Sequence, residues 1–103
     1  MTNLTKLIAE LEKGETGLPM LRRLKRQGQI LAAHVRDAEE IIESLDRARF
    51  QQSPHTDGVL NPRDIAEHLR REASTNPFYR DNPQGRRALY DFTHSVIVYC
   101  HSN

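Results

Sequence analysis

The sequence predicts an all-α fold, a four-helix, helical-hairpin domain organised on one long heptad-patterned helix. Three observations carry that prediction. From Pro19 to about Gln52, residues Leu21, Leu24, Gly28, Leu31, Val35, Ala38, Ile42 and Leu45 recur at alternating steps of three and four. That spacing keeps one helix face turned toward a neighbour along the whole run. Three further stretches, 3–13, 62–75 and 83–100, show helical spacing bounded by Gly and Pro. The one strand-like run, SVIVYC near the carboxyl end, has no second strand to pair with, and the three-four spacing continues through it.

The first helix, 3–13, follows from the stripe Leu4, Leu7, Ile8 and Leu11, with Gly14 expected as a left-handed stop. It is too short to persist alone, so it should fold back on the long helix through residues 15–18. The stretch LTKLIAELEKGETG resembles the opening of many small bacteriophage-encoded accessory proteins. The resemblance implies a phage or prophage origin and transfers no functional residue.

The long helix, 19–52, has Pro19 in its first turn, where a missing N–H costs nothing, and Ser53-Pro54 at its end. A straight helix over 19–52 would be roughly 50 Å long. A domain of this size has a radius of gyration of only ~13 Å. Either a second chain covers the overhang, or the helix breaks near Gly28. Met20, Ile30, Ile41 and Leu45 form a second apolar edge, which suggests two neighbours, one in the same chain and one in a partner chain.

Residues 53–60 read as a loop turning at Asp57-Gly58. The third helix, 62–75, has Asn61 as N-cap, Pro62 in its first position, Asp64 at the positive end and Leu60 placed to staple onto Ile65. Ile65, Ala66, Leu69 and Ala73 supply its buried face. Asn82-Pro83 repeats the start signal for the fourth helix, with Leu89, Phe92, Val96 and Tyr99 in register.

Composition bounds the function. The chain has 103 residues, one domain's worth, with 15 basic against 14 acidic residues and a net charge of +1. No global field draws it to nucleic acid or membrane, so local clustering decides. No apolar run reaches the length of a membrane span and the start has no leader-like pattern, so no membrane partner is expected and the cytoplasm is the expected location. The lone Cys100 fits a reducing compartment.

Along 19–52 the charge is segregated, with Arg22, Arg23, Lys25 and Arg26 first and Asp37, Glu39, Glu40, Glu43 and Asp46 later. Cations in a helix's first turns oppose its dipole at a cost of a few tenths of a kcal/mol each. An antiparallel copy of the same helix, crossing near Ala32-Ala33, would offset that cost. Glu10, Glu12 and Glu15 of the first helix are the alternative within one chain. The heptad residues Leu21 to Leu45 are therefore the expected oligomer interface.

Two arginine clusters are candidate anion or partner sites. Arg22, Arg23, Lys25 and Arg26 form the first. The second is RDNPQGRR, where Arg80, Arg86 and Arg87 lie at the start of the fourth helix, Gly85 would leave backbone accessible, and Phe78 and Tyr79 would offer a stacking surface. DIAEHLRREASTNPFYR resembles a helix-turn-helix at Ile65, Ala66 and Leu69, but departs from it at Arg70 and Pro77. Glu39-Glu40-Ile41-Ile42-Glu43 is similar to the EExxE of all-α nucleotide pyrophosphohydrolases, yet Asp64 and Glu67 stand in reversed order. His94, Cys100 and His101 lack zinc spacing. His34 sits between apolar stripes as a packing histidine would, and His68 with Glu72 is a surface pair. No cofactor or metal is implied. The expectation is a non-enzymatic protein-interaction module, a homodimer or higher oligomer that inhibits or assists a host or phage protein by occupying it. A nucleic-acid or nucleotide-binding regulator is the alternative.

Overall fold

The computed structural model describes residues 4–50 and 61–102. These residues form α1 (Leu4–Lys13), α2 (Leu18–Arg26), α3 (Ala32–Phe50), α4 (Pro62–Thr75), a 3₁₀ turn (Pro77–Arg80) and α5 (Pro83–Ser102), with no strand among them. The expected end of the long helix at Ser53-Pro54, the Asp57-Gly58 turn and the Leu60 staple lie outside the described residues. The run SVIVYC is helical, as expected.

The continuous helix over 19–52 is corrected: it is two helices, α2 and α3, separated by residues 27–31. Gly28 has φ 75°. Its N–H donates to the Lys25 carbonyl at 3.0 Å, and the Gln29 N–H reaches back to the Leu24 carbonyl at 2.8 Å. This pair of bonds around a left-handed glycine is the Schellman stop. It also removes the electrostatic anomaly. Arg23, Lys25 and Arg26 occupy the last turn of α2, where cations complement the helix dipole rather than oppose it.

Once broken, the two halves fold onto each other. α3 packs on α1, α2 and α4, while α5 packs on α4 and α2. Leu21, Leu24, Val35, Ala38, Ile42 and Leu45, assigned from the sequence to an interface between copies, are at most 7% exposed within the single chain. Burying each such aliphatic side chain contributes about 1.5–3 kcal/mol, and here their own chain supplies the cover. Leu31 is half-buried, and Gly28 is an exposed turn residue. The longest dimension is 42 Å and the radius of gyration 13.4 Å, so no rod overhangs the body. One member of the basic block meets the acidic block within the chain, Arg22 with Glu39 of α3 at 3.8 Å. Among the described residues, none of the four cations pairs with Glu10, Glu12 or Glu15.

Gly14 is also corrected, since Gly28 is the glycine with positive φ among the described residues. The chain leaves α1 through a turn closed by the Gly17 N–H on the Gly14 carbonyl at 3.0 Å. Beyond it, one apolar core joins all five helices, with Tyr79, Phe92, Ile41, Leu69 and Leu89 among its most buried side chains.

Candidate functional site

The α4–α5 connection is fixed by asparagines. Asn76 Oδ1 accepts from the Phe78 N–H at 3.0 Å, and Asn82 Nδ2 donates to the Phe78 carbonyl at 2.8 Å. The 3₁₀ turn so held drives Tyr79 into the core, where it is 1% exposed. Its ring stacks on His34 with centroids 5.4 Å apart, and Phe78 meets it edge-on. The stacking surface expected from Phe78 and Tyr79 is therefore corrected: Tyr79 is interior, and Phe78 is half-buried against it.

Tyr79 Oη accepts the Leu31 N–H at 3.3 Å and lies 2.5 Å from His34 Nδ1. A hydroxyl has two lone pairs and one proton, so Tyr79 can accept from Leu31 and still donate to Nδ1 or accept from it, according to the imidazole tautomer. Burial favours the neutral ring. It pushes His34 below the ordinary imidazole range, against the nearby Glu72 and Asp37 carboxylates, and it pushes the Tyr79 phenol up. The pair is a structural tie between the start of α3 and the 3₁₀ turn. The sequence placed His34 in the packing but carried no sign of its partner, 45 residues away.

A second tie lies beside the first. Gly85, in the first turn of α5, is buried against the Gln29 carbonyl, which would collide with any Cβ there. The expectation that Gly85 leaves backbone open to a ligand is thus corrected, because the α2–α3 turn covers that face. The same turn contains Gln29 Oε1, a buried oxygen with no hydrogen-bond partner.

The two ties bring both arginine clusters to one end of the bundle. The last turn of α2 holds Arg23, Lys25 and Arg26, the 3₁₀ turn ends at Arg80, and the first turn of α5 holds Arg86 and Arg87. All six are exposed. None is within ion-pair distance of a carboxylate among the described residues. Arg22 differs, being committed to Glu39.

The carboxylates of the EExxE-like run, Glu39, Glu40 and Glu43, do not share one site. Glu39 pairs with Arg22, while Glu40 lines a groove between α3 and α4 with Asp37, Asp64 and His68. Glu43 lies on another side, in a groove between α1 and α3, and Glu67 pairs with Arg63 at 3.3 Å. No group of three or more His, Cys, Asp or Glu among the described residues is placed to hold a metal. Burial raises the Cys100 thiol above its usual range, away from nucleophilic thiolate character. His68 and Glu72 make the expected surface pair at 4.0 Å. No described helix is long and apolar enough to cross a membrane. No family model, curated protein or solved structure matches the chain, so its functional reading rests on these residues.

Proposed function

We propose that this chain is a non-enzymatic helical binding module that acts by occupying an anionic surface on a host or phage macromolecule. Its working surface is the end where α2, the 3₁₀ turn and α5 meet. One observation carries the reading: six exposed cations from two distant segments stand at one end of the bundle, with no carboxylate among the described residues within ion-pair distance, although the chain as a whole is nearly neutral. Charge left unpaired in this way is available to a partner at no cost in broken internal ion pairs. The stacked His34 and Tyr79 serve to hold that surface in shape.

Charge reversal on a pull-down tests the reading. Arg26→Glu with Arg86→Glu is expected to release whatever the native chain retains from a lysate, with the helical circular-dichroism signal and melting temperature unchanged. Retention of the same partners by the doubly reversed chain would contradict it.

A further inference from the structure

The molecule is electrostatically polarised. Of its 15 basic and 14 acidic residues, six basic lie in the last turn of α2, the 3₁₀ turn and the start of α5, and one acidic residue, Asp81, lies in the link between the last two. Carboxylates therefore outnumber cations over the remainder. Such a molecule presents one face to a polyanion and repels it elsewhere, which fixes the direction of approach.

What surrounds these cations narrows the partner. A stable protein–protein interface is centred on apolar and aromatic anchors buried in pockets. At this end Tyr79 is interior, Phe78 is half-buried, and the one large, strongly exposed apolar side chain among the described residues, Val98, lies about three turns beyond Arg87 along α5. A single-stranded nucleic acid also needs aromatic platforms for its bases. Neither need is met here. A duplex backbone asks only for charge presented on a rigid frame. Five of the six cations are arginine, whose planar fork grips phosphate oxygens two at a time. Rigidity comes from the Tyr79–Leu31 hydrogen bond and the Gly85–Gln29 contact, which hold the two segments together.

We infer that the basic end binds the phosphate backbone of double-stranded nucleic acid without reading its sequence, as one composite surface needing both segments. This rests on the binding-module reading above and names its partner. The discriminating experiment is fluorescence anisotropy with a labelled DNA duplex of about 30 base pairs, titrated between ~50 and ~200 mM salt. An acidic probe, labelled poly-glutamate, is run in parallel. The native chain is expected to bind duplexes of unrelated sequence alike. The affinity should fall with a log–log slope approaching about −5 if all six cations engage phosphates. Arg26→Glu and Arg86→Glu should each weaken binding at least tenfold, although they come from different segments. Arg63→Glu, on α4, should leave it unchanged.

The inference is overturned if affinity is insensitive to salt, or if reversal on only one of the two segments matters. Binding of poly-glutamate but not duplex, lost in the same variants, overturns the nucleic-acid partner and leaves the anionic-partner reading standing. Binding of neither probe by a folded chain removes both.

Discussion

Two turns reverse the chain beside the basic end, and they are built from different chemistry. The turn at 76–82 is made by side chains: Asn76 caps the 3₁₀ turn, and Asn82 returns to the Phe78 carbonyl, all within seven residues. The turn at 27–31 is made by backbone. Gly28 provides the left-handed residue, and the anchors that hold the turn, Tyr79 and Gly85, stand about fifty residues away. The first turn is closed by its own side chains, although its Tyr79 also reaches across to Leu31. The second depends on the rest of the fold, and so couples the two cationic segments to core packing.

The comparison is broken most severely at Gly85. Gly85→Leu would drive a side chain into the Gln29 carbonyl, an overpacking expected to cost about 3 kcal/mol or more. In a domain of this size each kcal/mol is worth roughly 4–8 °C. Thermal melts followed by circular dichroism should show a fall well beyond 10 °C. A melt within a few degrees of the native chain would mean that the turn does not press on α5.

Tyr79→Phe comes next. It keeps the ring and removes the hydroxyl, leaving the Leu31 N–H and His34 Nδ1 without their partner in a buried site. The expected loss is about 1–3 kcal/mol, read by urea unfolding with the m-value unchanged.

The two turns can then be weighed directly. Gly28→Ala forces an L-residue to φ 75° in open space, a strain of about 1–2 kcal/mol. Asn76→Ala removes a cap worth about 0.5–2 kcal/mol. The totals are similar, but the distribution should differ. Hydrogen exchange in Asn76→Ala is expected to accelerate near 76–82 alone, whereas Gly28→Ala should also loosen the first turns of α3 and α5.

Acidity gives the smallest effect. The folded state holds His34 below its ordinary value, so the unfolded chain takes up the proton first. Stability is therefore fully present above the ordinary imidazole pKa of about 6.5 and is lost as pH falls through it toward the folded value. Melting temperature should decline between about pH 7 and 5, and His34→Gln should flatten that decline.

This contrast also explains what could be read beforehand. Helices α4 and α5 were legible because Asn61-Pro62, Asn76-Pro77 and Asn82-Pro83 write their boundaries in adjacent side chains. The α2–α3 break near Gly28 stood only as one of two alternatives, because Leu21, Leu24, Val35, Ala38, Ile42 and Leu45 keep heptad spacing on both sides of it. A seam that meets itself has the same pattern as one that meets a copy. The clue was electrostatic: Arg23, Lys25 and Arg26 were misplaced for the start of a helix and well placed for the end of one. At the candidate site each arginine cluster was visible singly. Their convergence depends on Tyr79 reaching Leu31 across 48 residues, a contact that no periodicity encodes.

The central claim is that the chain folds back at Gly28 and packs its heptad face on itself. Cysteines at positions 22 and 39, in a Cys100→Ser background, test it with a short bismaleimide linker. In a straight helix, positions 22 and 39 would stand about 25 Å apart, beyond the linker's reach within one chain. The fold described here, with Arg22 and Glu39 side chains 3.8 Å apart, predicts efficient linkage at the mass of a single chain, independent of protein concentration. A product at twice that mass, rising with concentration while the single-chain product stays absent, would contradict it.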